Sequence, residues 1–418
     1  MAKGKFDIYV YADWIGLDDP VLVGVLSAHF AKAKKAFSFQ YTREWLDKGL
    51  YQNLDPDITF YSGPQYASDK ENFGLFLDSM PDTWGKTLMK RREAQEARAR
   101  GEKPKKLYDI DYLLGVYDIS LMGAICFKTD ENGPFLDNDD QNPTPPWSSL
   151  GKLQKAVSQL ESDVENDSTK KWIELLIAPG SSLGGARPKA NILGKDNSLW
   201  IAKFPSKTDT IDKALWEFLA YKLARACGIE MTKSKIEKIT GKHHTFLTER
   251  FDRKNNRRIH FASAMTMTGN TETTLKEITP SYLDIVDVIE NYGDNVEANL
   301  HQLWRRIIFN IAISNTDDHL RNHGFILNQK GWTLSPAYDL NPSIEKNGLS
   351  LNIDMDDNAL DFELAKSVGE YFRLNKVEMK NIIDEVLSIV NKWKEFAKQI
   401  GISNKEIILM EPAFNIQV

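Results

Sequence analysis

The sequence predicts an α+β chain in which a mixed α/β part precedes a mainly helical one. Three observations carry that expectation. Residues 6–46 hold three strand-like stretches, FDIYVYADW, VLVGVLSAHF and AFSFQYTREWL. Between Lys171 and Arg253 a glycine loop is followed by hairpin signals and a single helical period. Beyond Asn255 the apolar residues fall mostly at helical spacing. At 418 residues the chain exceeds one ordinary hydrophobic core. Three segments are expected: 1–120, 121–254 and 255–418.

The elements follow in order. FGLFLDSMPDTWGKTLMKRREAQEARARGEKPKK reads as helix-rich, and its mixed-sign end, Lys90 to Lys106, as a solvated helix face rather than a nucleic-acid patch. MGAICFK (Met122–Lys128) reads as a buried strand, and the acidic, Pro-rich TDENGPFLDNDDQNPTPPW after it as a surface connection. Leu153, Ala156, Val157 and Leu160 form the stripe of an amphipathic helix. KANIL and LWIAKF flank the turn GKDNS, a hairpin signal. KALWEFLAYKLARACG has helical spacing and a suitable end at Gly228. HHTFLTERFDR supplies a further strand, and LDIVDVIENY, NLHQLWRRIIFNIAIS, ALDFELAKSVGEYF and VEMKNIIDEVLSIVNKWKEFAKQI supply helices.

Bulk properties exclude some classes. A net charge of −6 argues against broad nucleic-acid binding by this chain alone. No apolar run reaches spanning length and MAKGKFDIYV lacks the apolar core of a signal peptide, so no membrane association is expected. Two cysteines in apolar surroundings, Cys126 and Cys227, imply no disulfide framework and suit a reducing cytoplasm.

Two stretches carry chemistry. In SSLGGARPKANIL, glycine permits close approach of backbone N–H groups to phosphate oxygens, and Arg187 and Lys189 add positive charge. Alone it could be an ordinary turn. Lys203 follows in the apolar strand LWIAKFP, and Glu217 lies amid apolar neighbours on the next helix, where it could pair with Lys203. Loop, strand lysine and helix glutamate in that order match the phosphate-holding half of a kinase. The second stretch, NTDDHLRNHGFILNQKGWTLSPAYDL, crowds Asp317, Asp318, His319, Asn322 and His323 before a hairpin and then Asp339. Protein kinases place the base aspartate and the metal-binding asparagine five apart, as Asp317 and Asn322 are, with a second metal-binding aspartate across a hairpin. A transition-metal site lacks HExxH spacing or a cysteine ligand, and turn capping explains the cluster only if it is considered alone.

These motifs, in this order, resemble the HipA-like serine/threonine kinases, the toxin component of bacterial toxin–antitoxin modules. VGVLSAHFAKAKKAFSFQYTREWL and FGLFLDSMPDTWGKTL resemble the family's N-terminal subdomain, SSLGGARPKA its glycine-rich loop, LTERFDR its adenine-binding hinge, and NTDDHLRNHGF and LSPAYDLNPS its catalytic and metal-binding segments. The resemblance implies a two-lobed protein-kinase-like fold with an α/β N-lobe, a mainly helical C-lobe and an extra N-terminal α/β subdomain. It implies ATP and Mg2+, with Asp317 as catalytic base and Asn322 and Asp339 as metal ligands. Gly184, Gly185, Ala186, Arg187 and Lys189 would cover the phosphates and Lys203 would contact them; Glu249 and Phe251 would meet adenine, and His319, Arg321 and Tyr338 would line the nucleotide pocket. Ser182, with Ser181 adjacent, matches a serine whose autophosphorylation silences the kinase. The resemblance further implies a protein substrate such as an aminoacyl-tRNA synthetase, and a HipB-like helix-turn-helix antitoxin through which DNA is mainly contacted. A small-molecule kinase, or a catalytically inactive pseudokinase serving as corepressor, are the alternatives.

Overall fold

The computed structural model describes residues 4–30, 35–50, 52–67, 70, 72–136, 144–162, 173, 176, 185–345 and 348–415. Contacts divide the chain into two compact units: Met1–Thr208 with Glu249–Ala262, and Asp209–Thr248 with Ser263–Val418.

The first unit is built on a five-stranded antiparallel sheet of β1 (Gly4–Ala12), β2 (Val21–Phe30), β3 (Lys35–Tyr41), β4 (Gln65–Tyr66) and β5 (Ile125–Lys128), in the order β4-β3-β2-β1-β5. Alternation decides the faces: Ile8, Val10 and Ala12 on β1 are buried while Tyr9 and Tyr11 between them are not. Phe39, Phe73, Phe76 and Phe127 meet edge-on or tilted on the buried side. Because β5 pairs with β1, the expected boundary at 120 falls inside this sheet. Helix α1 (Thr83–Ala99) is capped by Asp82, whose carboxylate accepts from Gly85 N at 2.8 Å. Its charged end is only partly solvated, since Glu93 is buried and Arg91 donates to Leu160 O at 2.7 Å. Helix α2 (Leu150–Glu161) buries Leu153, Ala156, Val157 and Leu160 as their spacing predicts, at roughly 1.5–3 kcal/mol for each large side chain. Strands β6 (Lys189–Leu193) and β7 (Leu199–Lys203) form the expected hairpin around GKDNS. Part of the Pro-rich connection, residues 137–143, lies outside the described residues.

In the second unit, α3 (Lys213–Ala226) starts at the Asp212 cap and ends before Gly228, whose φ of +75° gives the left-handed turn that a side chain resists. Strands β8 (Ser234–Glu237) and β9 (Thr245–Glu249) pair as a hairpin. The remainder packs around α5 (Val296–Ile313), whose last eight residues are all buried, flanked by α4 (Tyr282–Tyr292) and α6 (Lys376–Val390). The last long helical stretch of the sequence is interrupted after α6 and resumes as α7 (Trp393–Gln399). Strands β10 (Gly324–Leu327) and β11 (Trp332–Leu334) form the hairpin expected around NQKG. Both cysteines are buried and free, and among the described residues no helix is long and apolar enough to cross a membrane.

Candidate active site

The second unit brings Asp317, Asn322 and Asp339 together. Helix α5 ends at Ser314, whose φ of +49° turns the chain out of the helix. Asn315 then bonds both ways: its Nδ2 donates to Asn310 Oδ1 at 3.1 Å, and its Oδ1 accepts from Asn341 N at 3.2 Å. That second bond draws the segment after β11 to the end of α5. Asp339 has a left-handed backbone, φ +58°, supported by Asn341 Nδ2, which donates to Asp339 Oδ1 at 3.1 Å. Asn322 Nδ2 donates to Asp317 O at 2.8 Å, so the amide lies beside the aspartate five positions earlier and presents Oδ1 as its acceptor end.

The Asp317 side chain is exposed, yet nearby protein displaces enough water to raise its carboxyl above the ordinary carboxylate range; the charges of Asp339 and Asp318 add to this, and His319 opposes it. Asp317 and Asp339 thus lie near enough to feel each other's charge. Tyr338 OH donates to Arg321 O at 2.8 Å, and the Arg321 guanidinium pairs with Glu272. His319 Nδ1 is buried without a hydrogen-bond partner among the described residues, a donor or acceptor position suited to a polar ligand.

Asp318 has a different task from its neighbour. It is buried and accepts from Tyr282 OH at 2.5 Å and Asn310 Nδ2 at 2.8 Å, with His323 Nε2 at 2.7 Å. Burial alone would raise its carboxyl, but His323 and these hydrogen bonds hold it below the ordinary value. The sequence shows the crowding, not this network, because Tyr282 and Asn310 belong to separate helices.

The first unit carries the other expected residues. Ser181, Ser182 and Gly184 lie outside the described residues. Gly185 has φ +96°, and the Arg187 guanidinium donates to Phe204 O at 3.3 Å. Ala186 lies in the same bend and Lys203 ends β7. Lys189 Nζ sits 2.8 Å from Asp82 Oδ2, both side chains almost fully buried. A buried ammonium requires such a counter-ion. Glu249 and Phe251 are half-buried, while Arg250 and Asp252 alternate with them into the interior. Asp252 accepts from Arg250 Nη2 at 2.5 Å, Arg253 Nη1 at 2.6 Å and Gly123 N at 2.8 Å. That ionic knot joins two arginines near Asp252 in sequence and ties the expected hinge to Gly123 in the segment before β5, 129 positions away.

Among the described residues no group of three His, Cys, Asp or Glu side chains is arranged to hold a metal ion. The oxygen set of Asp339 carboxylate and Asn322 Oδ1 nonetheless fits Mg2+, which is held by one or two protein oxygens together with substrate phosphates and water.

The fold is that of HipA: over 97% of this chain and 94% of the other, it matches the solved Shewanella oneidensis MR-1 structure titled as a complex of HipA, HipB and operator DNA, with a TM-score of 0.66 and 15% identity. Residues 181–393 match the model of the HipA-like C-terminal domain, and the chain belongs to that family. It is also 23% identical over 210 residues to the protein named "Putative kinase Y4mE" of Sinorhizobium fredii (strain NBRC 101917 / NGR234), an alignment covering 48% of this chain and 43% of that one. The chain therefore spans less than half the length of that relative.

Proposed function

We propose that this chain is an ATP-dependent protein serine/threonine kinase, the growth-inhibiting toxin of a toxin–antitoxin pair. The observation that supports it best is the convergence of Asp317, Asn322 and Asp339 at the end of α5. Asp317 would accept the proton of the incoming hydroxyl as that oxygen attacks phosphorus. Its raised pKa makes it a stronger base than an ordinary carboxylate, closer to the operating pH. Asn322 and Asp339 would hold Mg2+, which when bound neutralises charge on the transferring phosphoryl group. Lys203 would contact the phosphates, and Glu249 and Phe251 would meet adenine. His319, Arg321 and Tyr338 would line the nucleotide pocket.

A protein substrate such as an aminoacyl-tRNA synthetase, and a HipB-like antitoxin carrying most of the DNA contact, complete the reading. The net charge of −6 is consistent with DNA being reached through a partner. Autophosphorylation at Ser182 would add about −1.5 to −2 charge beside the glycine loop and repel the phosphates of ATP. Ser182→Asp is then expected to weaken ATP binding. The decisive experiment is phosphoproteomics after inducing the wild type and Asp317→Gln. New serine or threonine phosphorylation with the wild type alone is expected; identical profiles, or label transferred only to a small metabolite, overturn the protein-kinase reading.

A further inference from the structure

Strand register sets two lysines against each other. Lys189 and Lys203 are direct partners across the β6–β7 hairpin, so their side chains leave the same face, and like charges so placed repel. One of the two is withdrawn. Lys189 Nζ is held 2.8 Å from Asp82 Oδ2, with the side chains 3% and 2% exposed. Asp82 is fixed in turn, because its other oxygen, Oδ1, caps α1 through Gly85 N at 2.8 Å. The same ammonium lies next to the glycine bend: a Cβ added at Gly185 would come within 3.2 Å of Lys189 Nζ, and the φ of +96° there already disfavours a side chain. The cap of α1, Asp82, Lys189 and the Gly185 bend thus follow one another as near neighbours.

We infer that Asp82 is a positioning residue for nucleotide binding, setting the Gly185 bend through Lys189, so that the N-terminal subdomain governs nucleotide affinity. This rests on the kinase reading above and deepens it. With Asp82 ionised, the ammonium stays beneath the bend. With the carboxylate removed, Lys189 loses its counter-ion and is driven from its buried place toward solvent, away from Lys203, and the bend loses its support.

The test uses the full chain with MgATP, measuring nucleotide affinity, KM, kcat and thermal unfolding together. Asp82→Asn keeps a capping oxygen but removes the charge; Lys189→Met removes the charge from the other side and keeps an apolar fill. Both are expected to raise KM for ATP about tenfold with kcat within about twofold, and the double variant should be no worse than the poorer single one. Lys189→Arg should recover part of the affinity. Lower unfolding temperatures with unchanged KM in both single variants would reduce the pair to a structural role and overturn the inference. A wild type that binds no MgATP overturns the kinase reading itself, and this inference with it.

Discussion

His323 Nε2 lies 2.7 Å from Asp318 Oδ2, and this contact joins the residue after Asp317 to the residue after Asn322. The pair therefore closes the loop that carries both the expected base and the expected metal-binding amide. Tyr282 and Asn310 anchor the same carboxylate to α4 and α5. Replacing Asp318 by Ala leaves these buried groups facing a void. We expect a stability loss of about 1–3 kcal/mol for each buried donor left unpaired, with phosphoryl transfer falling alongside. Urea unfolding of Asp318→Ala checks it; wild-type stability would contradict the anchoring role.

Asp317 and Asp339 should separate in kinetics. Asp317→Gln is expected to lower kcat by about 10²–10⁴-fold, the range for losing a general base, with MgATP affinity nearly retained. Asp339→Asn should instead weaken nucleotide binding only when Mg2+ is present. Titration of ATP with and without Mg2+, beside single-turnover rates, distinguishes them; full activity in either variant refutes its assigned role.

Asp252 gives a test of the ionic knot. Burial would raise its carboxyl, but Arg250 and Arg253 bring it down to about 2. A depressed carboxylate contributes stability above its unfolded value, near 4, and loses it as pH falls through about 2. Asp252→Asn leaves two guanidinium groups without their shared counter-ion, so a loss of about 3–5 kcal/mol at neutral pH is expected. Denaturant unfolding measures it, and the deficit should shrink in acid.

Asp55 predicts the opposite slope. Its carboxyl is buried, accepting from Leu75 N at 2.8 Å and Asp57 N at 2.9 Å, and burial pushes it up to about 6. The folded state then holds the proton more tightly than the unfolded chain does. Its contribution is fully present below about pH 4 and is lost as pH rises through about 6, on the order of 3 kcal/mol in total. Asp55→Asn should gain stability relative to the wild type across that window; parallel profiles from pH 4 to 7 would contradict this.

Much of the fold was legible because its signals are local. The β1 alternation, the Leu153–Leu160 stripe and the GKDNS and NQKG turns each reappear as the expected element. Even the spacing of Asp317 and Asn322 is a local signal, realised as one hydrogen bond. The placement of β5 beside β1 was not legible, since 112 residues separate Ala12 from Ile125 and pairing leaves no mark on either strand alone. The counter-ion of Lys189 was not legible for a similar reason: it lies 107 positions away.

By itself the sequence determined which residue types occur near one another along the chain: the glycine bend with its lysines, and the aspartate cluster with its hairpin. Tertiary structure alone decided which charges face water and which are consumed by a partner. Asp317 stays exposed while adjacent Asp318 is buried among three donors, and Lys189 is buried against Asp82. The reason is that burial strips charge of water, and only a partner delivered by another part of the fold can replace it.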